Sequence, residues 1–200
     1  MKYTKSLEEL IESFKQLPGI GEKNAERLAF SILKFDDEQV EQFVNALNNV
    51  HTKIKKCKIC NNLTEDHDEC IICRDKDRDD SVICVVENTK NLILFEKANI
   101  FNGKYHVLEG LISPLEGINP EDININKLIQ RVKDNEIKEI ILALNPSMEG
   151  ETTSLYISKL LEGLNIKITK IAAGVPVGAD MEYLDSITIQ RALEGRIEVS

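Results

Sequence analysis

Four cysteines in two close pairs, Cys57-Lys-Ile-Cys60 and Cys70-Ile-Ile-Cys73, are the residues of this sequence best placed to do chemistry. Each Cys-x-x-Cys turn sets two sulfurs on one side of a knuckle, and two knuckles supply the four thiolates of a tetrahedral zinc site. Nine residues separate the pairs, enough chain to fold the second knuckle onto the same ion. Disulfides, a redox dithiol and plain buried thiols compete with that reading. Disulfides call for an oxidising compartment, whereas the chain opens Met1-Lys2-Tyr3-Thr4-Lys5 with no apolar leader, so a cytoplasmic setting is expected. A redox dithiol needs only one pair, on a thioredoxin-like unit. The expectation is one structural zinc per chain on Cys57, Cys60, Cys70 and Cys73. His67, among Glu65, Asp66, Asp68 and Glu69, is expected to stay exposed because four thiolates close the shell. Cys84, inside Ser81-Val-Ile-Cys-Val-Val86, reads as a small core residue.

A second chemical element lies upstream. Leu17-Pro-Gly-Ile-Gly21, followed by Lys23 and Arg27, has the form of a helix-hairpin-helix element that holds DNA. Gly19 and Gly21 are expected to take positive φ in a tight turn and to keep side chains away from a phosphate. Backbone N–H groups at the start of the next helix then face an anion, helped by the helix dipole. Lys23 and Arg27, four apart, share one face of that helix. Contacts of this kind grip phosphates without reading sequence. Glu22 and Glu26 on the same helix weaken the electrostatic case, and an ordinary αα-hairpin with solvated basic residues is the plain alternative. The basic cluster Lys53, Lys55 and Lys56 is the next candidate.

The elements that position these groups follow from periodicity. Leu7, Leu10, Ile11 and Phe14 mark a first helix, with Ser6 as N-cap and Glu9 completing a capping box. Leu28, Ala29, Ile32 and Leu33 mark a second. Val40, Phe43, Val44 and Leu47 mark a third, opened by Asp36 and Asp37. Beyond the cysteines, strands at 81–86, 105–108, 139–144 and 166–172 alternate with helices at 88–99, 125–134 and 152–163. That alternation predicts an α/β domain on a mainly parallel sheet. A short helix is expected at 186–193.

Bulk properties limit the function classes. The chain has 200 residues, 42% hydrophobic and 30% charged, with no apolar run long enough to span a membrane. The net charge of -9 excludes a globally basic nucleic-acid binder. Residues 1–56 carry nine Lys/Arg and nine Asp/Glu, so the whole acidic excess falls on 57–200. Any nucleic-acid contact is therefore a local patch on the N-terminal segment.

In this order the parts resemble the bacterial RecR family of recombination mediators over nearly the whole chain. The likeness is carried by the glycine turn, the cysteine set, Ser81-Val-Ile-Cys-Val-Val-Glu87 and Tyr105-His-Val-Leu-Glu-Gly-Leu-Ile-Ser-Pro-Leu115. Leu144-Asn-Pro-Ser-Met-Glu-Gly-Glu-Thr152 and Gly174-Val-Pro-Val-Gly-Ala-Asp180 complete it. The resemblance implies a helix-hairpin-helix domain over 1–56, a four-cysteine zinc finger at 57–73 and a Toprim-type domain at about 80–175. The C-terminal tail, 176–200, would make subunit contacts in a homo-oligomer, from a dimer to a tetrameric ring. It further implies work with RecO and RecF, loading recombinase onto gapped single-stranded DNA, with no sequence-specific readout and no membrane.

Toprim enzymes hold magnesium with a strand-end glutamate and an aspartate cluster. Here Glu87 follows the first strand of the α/β segment, but Asn145 and Ser147 stand where the enzymes place aspartates. Glu87 and Glu149 are left as vestigial acidic positions. Amides and hydroxyls are weaker ligands for a hard cation than carboxylates. No tyrosine among Tyr3, Tyr105, Tyr156 and Tyr183 stands out as a nucleophile, and no Gly-x-x-x-x-Gly-Lys-Ser/Thr loop occurs. A non-enzymatic role is expected, against the alternative of a magnesium-dependent Toprim nuclease or primase-like enzyme. A zinc-stabilised adaptor without DNA contact is a third reading, which the glycine turn opposes. Asp180, Glu182 and Asp185 read as polar surface or subunit contact.

Overall fold

The computed structural model of the chain describes residues 3–198. The polypeptide divides after Ile54 into two compact units.

The first unit is helical: α1 (Lys5–Lys15), α2 (Glu22–Ile32) and α3 (Asp37–Lys53). Small residues let α1 and α2 approach closely. Ala25 and Ala29 are fully buried against Ile11, with Leu7, Leu10, Phe14 and Ile20 around them. The Ser6 capping box does not form. The helix already starts at Lys5, behind Thr4, whose side chain makes no capping bond, so Ser6 lies inside the first turn. Asp36 does cap α3: it accepts from the Gln39 N–H, and the Gln39 side chain accepts from the Asp36 N–H. No residue of α3 is buried, so the stripe Val40, Phe43, Val44 and Leu47 is exposed.

The second unit opens with a two-stranded hairpin, β1 (Lys55–Lys56) and β2 (Leu63–Thr64), then α4 (Ile71–Arg74). Lys55 and Lys56, grouped above with the helical segment, thus belong to the cysteine knuckle. Next come β3 (Asp79–Val86), α5 (Thr89–Ala98), β4 (Gly103–Val107), α6 (Ile125–Asp134), β5 (Glu139–Ala143), α7 (Met148–Leu160), β6 (Lys167–Lys170) and α8 (Ser186–Glu194). The four longer strands form one parallel sheet in the order β4-β3-β5-β6. Helix α7 begins four residues before the expected start at 152, because the Ser147 hydroxyl accepts the Gly150 N–H and caps it.

Alternation along β3 assigns the two faces. Ile83 and Val85 join Ile140, Leu142 and the buried faces of α6 and α7 in one cluster, with Leu128, Val132, Ile157 and Leu161. Cys84 and Val86 point the other way, into a second cluster with Tyr105, Val107 and Leu92 of α5. Cys57, Cys60, Cys70 and Ile72 belong to that second cluster. The cysteine knuckle therefore fills a place beside α5 in the outer layer, where a doubly wound sheet would carry another helix.

Strand β4 is a sheet edge, yet its outward carbonyls are occupied. The carbonyls of Gly103, Tyr105 and Val107 accept from Arg78, Arg131 and the Asn61 amide, at 3.2, 2.7 and 3.3 Å. The Val107 N–H donates to the Cys60 carbonyl at 2.8 Å.

Candidate functional site

Cys57, Cys60, Cys70 and Cys73 converge, with all four sulfurs within 4.8 Å of one another. Cys60 and Cys70 sulfurs lie 3.5 Å apart, and none of the four is in a disulfide. A tetrahedral centre with metal–sulfur bonds of about 2.3 Å sets its sulfurs about 3.8 Å apart, so the donor set fits a metal ion. Local backbone builds the first knuckle. The Cys57 N–H donates to Asn62 O, the Asn61 N–H donates to Cys57 O, and Asn61 takes φ 63°, a conformation asparagine tolerates. The Cys70 N–H donates to the Cys57 sulfur at 3.3 Å, as amides do to metal-bound thiolates. Crowding splits the thiols. Hydrogen bonds from Cys60 and Cys73 hold Cys70 well below the usual thiol range, while the contact with Cys70 pushes Cys60 up. His67 is exposed in the loop between the pairs and lies outside the cluster. Cys84 is buried in β3, and burial pushes its thiol up to about 12.

At the carboxyl ends of β3 and β5, Glu87 and Asn145 meet where the strand order reverses, the usual ligand end of such sheets. The Asn145 amide donates to the Glu87 carboxylate at 2.5 Å. Ser147 is committed to capping α7. Glu149, in the first turn of α7, is held below the usual carboxylate range by its own backbone N–H and by Ser147. Glu87, Glu116 and Glu149 line an open cavity of about 400 Å³. Among the described residues, no cluster of potential metal ligands comparable to the four cysteines forms there. The positions of Asn145 and Ser147 are thus filled by groups with structural work to do. Asp180 and Asp185 likewise cap a short 3-10 turn and α8.

In the helical unit, Gly19 has φ 80° and needs glycine, but Gly21 does not take the positive φ expected of it. Gly21 is extended, with φ -84° and ψ 172°, and a Cβ there would meet nothing within 4 Å. It precedes α2 without any side-chain cap. Lys23 and Arg27 are exposed on α2, opposite the buried Ala25 and Ala29. Glu22 is paired with Lys15 at 2.8 Å, and Glu26 accepts from the Tyr3 hydroxyl at 3.3 Å. Among the described residues neither Lys23 nor Arg27 is in an ion pair, so the acids that weakened the electrostatic case are engaged elsewhere.

Two buried polar side chains on β4 escaped the sequence reading. One is Lys104. The other is His106, which is fully buried, with Nε2 2.9 Å from Asn124 O and no partner for Nδ1. Burial pushes His106 down to about 4; the Asn124 carbonyl opposes this, and the charges of Arg131 and Lys127 add to it. A depressed histidine binds its proton in the unfolded chain first. Stability is therefore full above pH about 6.5 and is lost as pH falls toward 4, by about 3 kcal/mol. Urea titrations at pH 7, 6, 5 and 4 should show that slope, and His106→Gln should remove its share.

A glycine-turn helical unit, a four-thiol centre and a four-stranded parallel sheet with strand-end acids define a Toprim-type protein with an added helix-hairpin-helix module. Comparison with known families agrees: the Toprim domain matches residues 81–172, the RecR helix-hairpin-helix 7–51 and the RecR C-terminal region 174–197. The chain is 51% identical over 199 residues to Recombination protein RecR of Staphylococcus haemolyticus (strain JCSC1435), covering both chains completely. It is 50% identical over the same length to that of Staphylococcus aureus (strain Newman), again with complete coverage of both. The chain belongs to the RecR family of recombination proteins. Among the described residues no helix is long and apolar enough to cross a membrane.

Proposed function

We propose that this protein is a non-enzymatic recombination mediator that grips DNA through the α1–α2 turn and Lys23 and Arg27. The observation that carries this is the uncapped start of α2, left bare by Gly21 and flanked by two unpaired cations. A phosphate there meets backbone N–H donors, the positive end of the helix dipole and two flexible charges. The family supports the rest: work beside RecO and RecF, loading recombinase onto gapped single-stranded DNA.

The four thiolates hold one structural zinc, the ion that suits a closed tetrahedral sulfur set. The protein acts as a homo-oligomer, with dimers assembling into a ring. The exposed apolar stripe of α3 and a helical unit in which, among the described residues, only Ile11, Ala25 and Ala29 are buried support burial against another copy. Because the chain is acidic overall, several turns must face one DNA molecule to reach useful affinity. The alternative of a magnesium-dependent nuclease or primase lacks support at the strand ends. There Asn145 and Ser147 offer an amide and a hydroxyl that are already engaged.

The test is fluorescence anisotropy on labelled single-stranded and gapped DNA across a salt series, with magnesium present. Lys23→Ala/Arg27→Ala should weaken binding to all sequences alike and lower the salt slope by about 1 for each phosphate no longer neutralised. Gly21→Val should keep the fold, since its Cβ has open space, and weaken binding without a change of charge. Full affinity with an unchanged slope in the double variant overturns the reading. Nicking that disappears in Glu87→Gln would favour the nuclease.

A further inference from the structure

We infer that Lys104 is the positioning residue of the metal centre, a buried ammonium that fixes the Cys70–Cys73 knuckle against the edge of the sheet. This rests on the reading that the four thiolates hold a metal.

Lys104 is 3% exposed, an expensive place for a charge unless every proton is met. An ammonium has three protons and no acceptor. Here Nζ donates to the carbonyls of Ile72 and Cys73, at 2.9 and 3.2 Å, and to that of Asp75. The Asp80 carboxylate, 3.3 Å away, balances the charge. All three carbonyls belong to the end of α4, the four-residue helix that begins after Cys70 and carries Cys73. So short a helix does not hold its own shape. Its terminal carbonyls have no helical partner, and a cation is the favoured group beside them.

The first knuckle is tied to the same strand. Val107 donates to Cys60 O and accepts from Asn61. Lys104 and Val107 are three residues apart, about 10 Å along β4. One strand therefore sets the spacing of both ligand pairs before any ion arrives. Cys73 is the one ligand of the four that is not fully buried. Without Lys104, the turn that carries Cys73 loses its external hold, and this ligand is the first to let go.

The experiment uses the full-length, metal-loaded protein challenged with excess chelator, with zinc release read by a chromogenic indicator. Lys104→Met keeps the stem and removes the donors, and should release zinc about 10-fold faster or more. Lys104→Arg restores a charged donor and should return to within about threefold of wild type, short of the effect of removing an outer partner. Leu128→Ala, in the opposite core cluster, weakens the fold without touching the knuckle and should speed release far less than Lys104→Met does. Unchanged release from Lys104→Met, or equal acceleration in Leu128→Ala, overturns the inference. If Lys104→Met does not fold, lysine acylation of the wild type decides. Lys104 should be protected with metal and labelled during chelation before the circular-dichroism signal of the α/β unit is lost, while Lys58, with 73% of its side chain exposed, is labelled throughout. Labelling of Lys104 in the loaded protein, or protection that survives chelation, counts against it. Absence of metal from the purified protein would instead sink the metal reading itself.

Discussion

Replacing Cys57 and Cys60 together by serine is expected to unfold the whole α/β unit, not the knuckle alone. Cys57, Cys60, Cys70 and Ile72 share one core cluster with Cys84 and Val86 of β3, Tyr105 and Val107 of β4, and Leu92 of α5. Binding of a structural zinc is worth on the order of 10 kcal/mol, against a net domain stability of about 5–15 kcal/mol. Losing the ion therefore removes a stabilisation comparable to the total. The double variant should lack zinc by elemental analysis and show no cooperative thermal transition for the α/β unit by circular dichroism. Chelation of the wild type should reproduce both results. A variant without metal that still melts with native cooperativity would show the knuckle to be a separable appendage.

Gly150→Ala is expected to cost about 3 kcal/mol, the upper range for forcing one group into packed structure. A Cβ at Gly150 would lie 1.9 Å from the Asn145 carbonyl oxygen and 3.1 Å from its carbon. Both are backbone atoms, so no side chain can swing aside. Relief must come from moving the turn between β5 and α7. That turn carries Asn145, which holds Glu87, and Ser147, whose hydroxyl accepts the Gly150 N–H. Gly21→Ala makes the same chemical change in open space at an ordinary φ, and should stay within about 0.5 kcal/mol of wild type. Urea midpoints of the two variants check the contrast. Equal midpoints would show that the turn relaxes freely.

Features written in local sequence were legible. Helix α6 occupies 125–134 as expected, because Ile125, Leu128 and Val132 repeat at helical spacing with no competing signal. The two Cys-x-x-Cys turns announced their convergence, since the ligand pairs are made within four residues each. Features made by contacts distant in sequence were not. Lys104 meets Ile72 across 32 residues, and Asn145 meets Glu87 across 58. Nothing in Gly-Lys-Tyr-His-Val marks a lysine and a histidine that turn inward. The start of α7 was hidden by Asn145-Pro146, which reads as loop, although Ser147 two residues on was the capping signal. Gly21 looked like a turn glycine because Gly19 beside it is one. Only backbone geometry separates a glycine required by φ from one whose missing side chain leaves a surface bare.

The occupied edge of β4 has a consequence for how the chain behaves when it fails. An unguarded edge strand is a template for pairing with another chain. At the far side of the sheet, β6 guards itself with a lysine at each end, Lys167 and Lys170. Strand β4 has no such self-protection: its one lysine, Lys104, is buried, its last three residues are Tyr105-His106-Val107, and its outward carbonyls rely on Asn61, Arg78 and Arg131. Asn61 directly follows Cys60, the second cysteine of the first knuckle. A molecule deprived of its ion therefore loses the cover over Val107 and offers a bare strand end to its neighbours. A metal held by the four cysteines would act in this sense as a solubility device, and metal starvation is expected to leave the chain as aggregate in place of idle monomer.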